Sequence, residues 1–518
     1  METLNSAIIH HVDNSPKLWL SSLQNRKNEI HFYRILFGCM LFLNIAGQYS
    51  KADPNSFQSD LYGTSAIRYR LVEGSTLTED SEIADRPSIR VPIRGYFWLK
   101  QLSSDPLFTN YNINRLKFQS KDSSFPSYHG LLNGTFRVGG EVALLQQMVL
   151  KGTIDGSEEI LLDSGLQKID INFPWIEMDV DQMFPDPFRA YNLHLVAVPW
   201  PKTWFSTATS FTSSSGVKVS NGDIISTSGK VISKNNQLTG KLGIMPIVQD
   251  LGLDAIMLEK PLKPLAMDRS RTIFFSLPQD EFSETLGYLH NGDLLSDKGT
   301  VIKSYKDFIS PFGPMPPVPD YGLDAIAYSN RGELIFSIQK DFFSEKQGKT
   351  ISNGDLLSDK GYVFKTNNEL LSKFKLYPTY VAIDFGLDAV YVWPWGEVWF
   401  STKSSFPVEQ YEIIGHGDLI SSYGKVILRN SELLEAFKPT EKIADFGLDS
   451  LEILWPKLEA DLNEDGVVDF TDYAIFIEAT KVDVNDIDYD ADYATIEGNP
   501  VYVPDIGAFF EDWLKEEQ

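Results

Sequence analysis

Cysteine is almost absent from this 518-residue chain: Cys39 stands alone. One cysteine excludes a disulfide framework, a cysteine-based zinc site and thiol catalysis. Positive charge is also scarce, with 46 Lys and Arg against 71 Asp and Glu, a formal net charge of −25. That balance argues against nucleic acid as a partner, because phosphate binding needs a basic surface. Histidine is sparse, 7 in all, and His129, His194, His290 and His416 share no metal-ligand spacing. No Gly-x-Ser-x-Gly, His-Glu-x-x-His or phosphate-binding glycine loop occurs anywhere. Long apolar runs are missing too. The run Ile35 to Ala46 is too short to span a bilayer comfortably.

That short run has the layout of an export signal. Arg26, Lys27 and Arg34 precede it, and Ser50 and Ala52 follow, so cleavage before Asp53 fits the small-x-small rule. A long polar stretch precedes the signal, so either the start lies further along or the signal is retained. A lipoprotein reading of Leu36-Phe37-Gly38-Cys39 fits less well, because most of the apolar run follows the cysteine. Cleavage would remove Cys39, which suits an extracellular or cell-surface location.

What is abundant points to all-β architecture: 36 Gly, 27 Pro and 13% aromatic residues. Residues 1–52 form an N-terminal extension with the signal. Residues 53–188 alternate in segments such as Ser88 to Leu99, Tyr111 to Phe118, Gly134 to Gly140 and Leu166 to Phe173, with Gly, Pro, Asn and Asp between them. This pattern predicts a β-sandwich or barrel.

Residues 189–456 are repetitive. Gly-Asp-Leu/Ile-Leu/Ile-Ser stands at Gly222–Ser226, Gly292–Ser296, Gly354–Ser358 and Gly417–Ser421, and the aspartates are 70, 62 and 63 residues apart. Gly-Leu-Asp recurs at 252–254, 322–324, 386–388 and 447–449, and Phe-Ser at 205–206, 275–276, 336–337 and 400–401. Each unit reads as four short strands, the size of a propeller blade, with one helical turn in a stretch such as Asn368 to Phe374. The first unit is degenerate at its opening, Tyr191 to His194, and the strand Phe446 to Trp455 has no unit after it. That orphan strand could pair with the first unit and close a ring. A four-blade propeller-like domain, five blades with part of the preceding region, or an open array all fit. The repeats resemble the Gly-Leu-Asp-Ala and Phe-Ser repeats of secreted proteins from planctomycetes and related bacteria. The resemblance covers about half the chain, and it is one of architecture without a known activity.

Residues 457–518 carry most of the negative charge: 17 acids and 2 bases lie between Asp461 and Gln518. Asp461, Asn463, Asp465, Asp469 and Asp472 place oxygens at positions 1, 3, 5, 9 and 12 of a calcium loop. Gly466 sits at the sharp turn, and Val467 offers its carbonyl at position 7. Calcium needs six to eight hard oxygens around one point, and this spacing supplies them. Tyr473 to Thr480 reads as the helix that follows. The loop and helix, with the ending Asp505 to Leu514, resemble a type I dockerin, a small α-helical EF-hand-like module. A second set, Asp486, Asp488, Asp490 and Asp505, departs from that family's pattern. Ala491 replaces the turn glycine, and eight extra residues intervene. The resemblance implies Ca2+ as cofactor, a cohesin-like partner, and Phe470, Thr471, Val503 and Pro504 as contact residues.

The repeated aspartates invite a catalytic reading, but catalysis needs one asymmetric pair of carboxylates. A residue recurring in every unit is more simply a turn-former. Glu177, Asp179 and Asp181 share a strand face that reads as a solvated edge. Trp393, Trp395 and Trp399 alternate and could stack on sugar rings, although core packing accounts for them more simply. No catalytic residue is assigned. The expected function is a non-catalytic binding or scaffold protein with a calcium-dependent docking tail and a possible glycan ligand. The alternative is a carbohydrate-active enzyme of the glycoside hydrolase type. The tail is expected to fold only with calcium. Asp465→Ala should abolish ordering of residues 461–480, read as loss of the calcium-induced circular dichroism change in the isolated tail.

Overall fold

The computed structural model describes residues 66–454 except 82–86, 122–124, 140–143, 170, 186–187, 201, 249, 260–271, 318–319, 382 and 410–411. The segment expected to direct export and the tail expected to bind calcium therefore lie outside the described residues. Strands dominate, and their sheets are antiparallel. Among the described residues no helix is long and apolar enough to cross a membrane.

Ten strands build the first sheet: β1 (Ile67–Leu71), β2 (Thr76–Asp80), β3 (Ile89–Ser104), β4 (Phe108–Ser120), β5 (His129–Gly139), β6 (Leu145–Ile154), β7 (Ile160–Asp163), β8 (Gln167–Lys168), β9 (Ile176–Met183) and β10 (Ala190–Pro199). From β2 through β7 and β9 each strand pairs with the next, and β9 then pairs with β10, which pairs back onto β2. The sheet is thus a closed barrel, the second of the two forms expected for this region, and not a sandwich of two packed sheets. Closure removes the exposed edges that a sandwich leaves. The long strands β3 to β6 alternate as a barrel wall requires, with Val91, Ile93, Phe97 and Leu99 of β3 inside.

β10 departs from alternation: residues 195–199 are all buried. Leu193, Leu195 and Ala197 face the barrel interior, while Val196 and Val198 join a second core with Phe205, Trp393 and Trp399 from the repeats. A strand covered on both faces reads as a continuous apolar run, here Leu195-Val196-Ala197-Val198. The residues Tyr191 to His194 therefore belong to the barrel.

The repeats form four four-stranded antiparallel sheets. The second has inner strand Ala255–Leu258, then Ile273–Ser276, Leu294–Ser296 and Thr300–Lys303. The third runs Ala325–Tyr328, Leu334–Ser337, Leu356–Ser358, Tyr362–Lys365, and the fourth Val390–Val392, Val398–Phe400, Leu419–Ser421, Lys425–Leu428. The first takes Lys202–Ser206, Ile224–Ser226 and Val231–Ser233 from the start of the repeats, but its inner strand is Ser450–Leu454. The orphan strand of the sequence thus pairs with the first unit. Inner strand 255–258 packs beside 450–454 and 325–328, and 390–392 packs beside the same two. A short helix follows each outer strand: α1 (Asn235–Thr239), α2 (Tyr305–Ile309), α3 (Asn367–Leu371) and α4 (Asn430–Leu433).

The Gly-Asp aspartates explain the helix positions. Asp293 accepts the backbone N–H of His290 at 2.9 Å and of Tyr305, the first residue of α2, at 2.8 Å. Asp223, Asp355 and Asp418 make the same pair of bonds, to Ser220 and Asn235, Ser352 and Asn367, and Gly415 and Asn430. Each carboxylate satisfies two backbone donors that burial would otherwise orphan. The neighbouring glycine is required by close approach: a Cβ at Gly354 would lie 2.0 Å from Asp384 Oδ1. Between sheets, Ser276 Oγ donates to Leu323 O at 3.0 Å and Ser401 Oγ to Leu448 O at 2.7 Å. The Phe-Ser phenylalanines at 205, 275, 336 and 400 are fully buried. Each such ring contributes about 1.5–3 kcal/mol of apolar transfer. Asp293→Ala orphans two backbone donors and should cost about 1–3 kcal/mol for each. Urea denaturation of the variant against the parent chain measures that loss.

Candidate functional site

Two places gather polar side chains beyond what the strands need: the start of the inner strands, and the junction between barrel and repeats. At the first, Asp254, Asp324 and Asp449 stand immediately before an inner strand, and Asp388 stands two residues before one. Their backbone N–H groups bond the Phe-Ser serine carbonyls of their own sheets, at 3.4, 3.2, 3.3 and 3.1 Å. Their carboxylates, unlike those of the Gly-Asp motif, take no bond from a turn. Gln339 donates to Asp254 Oδ2, and Lys403 Nζ lies 2.9 Å from Asp324 Oδ1. Gln339 and Lys403 occupy equivalent positions, three residues after the Phe of Phe-Ser; Ala208 and Pro278 stand there in the other two units.

The result is one cation beside four carboxylates. Burial pushes Asp254 and Asp388 up to about 6, with Lys403 opposing the rise in both. Burial also pushes Asp449 up to about 8, with Asp254 and Asp388 adding to it. Burial raises Asp324 well above the usual carboxylate range, against the pull of Lys403. For Lys403 burial acts downward, but Asp324, Asp388 and Asp254 leave it raised.

A third aspartate in each unit has no counterpart among the sequence expectations. Asp320 Oδ1 accepts from Gly322 N and Oδ2 from Gly292 N, both at 2.9 Å. Asp384 and Asp445 do the same for Gly386 and Gly354, and for Gly447 and Gly417. The readable signal was Asp-x-Gly-Leu-Asp, one residue pair longer than the motif read. Asp320 also belongs to the one group among the described residues, with Asp280 and His290, whose three ligand atoms lie within 4.8 Å of one another. Both Asp320 oxygens are already held by backbone donors, so the group reads as part of the turn.

Trp393 and Trp399 are buried in the core shared with the barrel. Glu397 organises them: it accepts from Trp399 Nε1 at 2.7 Å, Trp395 Nε1 at 2.9 Å, Ser421 Oγ at 2.5 Å and, across the junction, Trp175 Nε1 at 3.0 Å. Burial raises its carboxyl, and these four donors oppose the rise. The acidic face of β9 is solvated and paired: Glu177 with Lys425 at 2.8 Å, Asp179 with His194 at 2.8 Å, Asp181 with Asn192 at 2.7 Å.

The second place is a cleft of about 970 Å³. One wall is the outer face of β1, β3, β4 and β5; the other is Trp200, Lys202, the Thr227–Lys230 turn and the α4 region from Glu432 to Lys438. Arg70 stacks on Trp200 at 5.0 Å and Arg68 on Tyr96 at 4.5 Å. The acids in the lining are each paired. Glu435 meets Arg94 at 2.6 Å, Glu432 meets Lys121 at 3.7 Å, and Asp155 accepts His129 N at 2.7 Å. Beside the cleft Arg429 holds Glu73 with two bonds, 2.7 and 2.9 Å. Sequence reading missed this site, because its residues are dispersed from β1 to α4. The calcium-loop ligands Asp461, Asn463, Asp465, Val467, Asp469 and Asp472, the second set, and the cohesin-contact residues all lie outside the described residues.

No family model and no curated protein matches this chain. Among solved structures, the extracellular domain of a hybrid two-component system protein from B. thetaiotaomicron aligns at a TM-score of 0.18 and 9% identity. That alignment covers 74% of this chain and 66% of the other, just under two thirds.

The raised aspartates set a pH dependence. A carboxyl whose folded pKa lies above its unfolded value, about 4, binds more protons folded than unfolded in the interval between. Its stabilising contribution is full below pH of about 4 and is lost as pH rises through the folded values of about 6 for Asp254 and Asp388 and about 8 for Asp449. Asp449→Asn should therefore raise the melting temperature more at the alkaline end of that window than at the acid end. Equal shifts at both ends would contradict the assignment.

Proposed function

We propose that this chain is a secreted or cell-surface, non-catalytic binding protein. Its four repeat sheets act as the blades of a four-blade propeller-like platform. Support for that reading comes from the pairing of strand 202–206 with 450–454 and the mutual packing of the four inner strands. The export-type segment and the dockerin-like tail support an extracellular location and a calcium-dependent attachment to a cohesin-like partner.

The observation that carries the binding reading is the cleft between barrel and platform. Its volume, about 970 Å³, is at the upper end of small-ligand sites, about 300–1,000 Å³. One of its walls is made of barrel strands, which hold polar side chains rigidly. A glycan is the ligand class that this mixture of aromatic, hydroxyl, amide and charged groups accommodates.

The enzyme alternative needs two carboxylates, off the repeat pattern, free to exchange protons. Glu432 and Glu435 line the cleft but are ion-paired, which favours binding over turnover. Incubation of the full chain with a polysaccharide panel, alongside a glycan array, tests the proposal. Retention of a glycan without release of reducing ends is the expected result. Hydrolysis abolished by a single carboxylate substitution would replace this reading with the enzymatic one.

A further inference from the structure

The cleft's charge opposes that of the chain. Seven of its lining residues are Lys or Arg and three are Asp or Glu, in a protein of net charge −25. The acids are paired, as described, whereas Lys202, the buried cation of the lining, is not. Lys202 is 9% exposed, and its ammonium is buried without a hydrogen-bond partner. A buried, unpaired ammonium is costly, and proteins retain buried charge where a counter-charge meets it. The strand that carries Lys202 is pinned, since Lys202 pairs with Leu454 in the first repeat sheet.

From this we infer that the cleft binds an acidic oligosaccharide, with a carboxylate or sulfate of the sugar drawing the Lys202 ammonium, on its flexible four-carbon stem, out of its buried position into the cleft. The inference deepens the binding reading above and rests on it. Arg70, stacked on Trp200, and Gln119 and Ser228 in the same lining supply further donors for sugar hydroxyls and acid groups. Arg70 is itself lowered, by burial first, against the pull of Glu432 and Glu435, so an incoming anion relieves it as well. The favoured ligand is a sugar acid and not a nucleic acid. A long polyphosphate would be repelled by the chain's overall charge, whereas a short oligosaccharide meets only the local field.

The test is isothermal titration of the full chain with an oligogalacturonate, a heparin fragment, a neutral cello-oligosaccharide of matched length and a short single-stranded DNA. The carboxylated or the sulfated sugar should bind, more weakly as salt rises, and the two arms tell which acid group is preferred. Lys202→Met should weaken that binding roughly tenfold or more, the loss of about 1.4 kcal/mol. Lys202→Arg should retain most of it, and Lys346→Met, exposed and outside the cleft lining, should leave it unchanged. The melting temperature of Lys202→Met should match or exceed the parent's, because an unpaired buried charge is gone. If that variant does not fold, Arg70→Gln takes its place with the same expectation for binding. Neutral sugar binding alone, or charged-sugar binding indifferent to Lys202 and Arg70, would overturn the anionic assignment while leaving the binding reading intact. Failure of every glycan to bind would end both. Tighter binding of the DNA than of either acidic sugar would also overturn the assignment.

Discussion

The structure depends on one non-local pairing. Strand Lys202–Ser206 takes as its inner neighbour Ser450–Leu454, from the other end of the repeats. Without it the first sheet has no inner strand, and Ser450–Leu454, with its leading Asp449, has no sheet. The pairing also fixes the surroundings of Lys202, whose backbone it holds, and of the four aspartates that lead the inner strands. Closing so long a loop is entropically less severe than its length suggests, since the cost grows only with the logarithm of loop length. Intervening sheets that are themselves bonded to their neighbours, through Ser276 to Leu323 and Ser401 to Leu448, shorten the effective loop further.

The second organising constraint is the junction with the barrel. β10 buries one face in each core, so neither core is complete alone. Glu397 receives Trp175 from the barrel and two tryptophans from the repeats, and Arg429 grips Glu73 across the same boundary. A buried carboxylate with four donors is tolerable only if all four arrive together, so this contact specifies register as well as adhesion. The cleft lies beside that junction. Its walls come from both parts: Arg68, Arg70, Arg94 and Lys117 sit on barrel strands, and Lys202, Lys230 and Lys438 face them from the repeats.

Much of the repeat architecture was legible in the sequence. Gly-Asp and Phe-Ser recur because each unit must satisfy the same buried backbone donors and fill the same core position, and those demands are local. Gly-Leu-Asp was harder. Its aspartates were read as turn-formers by analogy with Gly-Asp, yet their side chains face one another and Lys403, a relation between units that no single unit displays. The Trp393-Trp395-Trp399 row read as core, and the core is where Trp393 and Trp399 lie. Alternation left sandwich and barrel both open for the first region, because it reports which face of a strand is buried, not whether the last strand returns to the first.

By itself the sequence determined the all-β class, the repeat period, the residues that each turn requires and the acidic composition of the tail, since all of these are read along the chain. The closing of the barrel, the pairing of the orphan strand, the gathering of four carboxylates around one lysine and the basic cleft with its unpaired Lys202 were decided only by tertiary structure. They bring together residues separated by tens to hundreds of positions. Which of those meet is set by the burial of faces and the satisfaction of backbone donors across the whole fold.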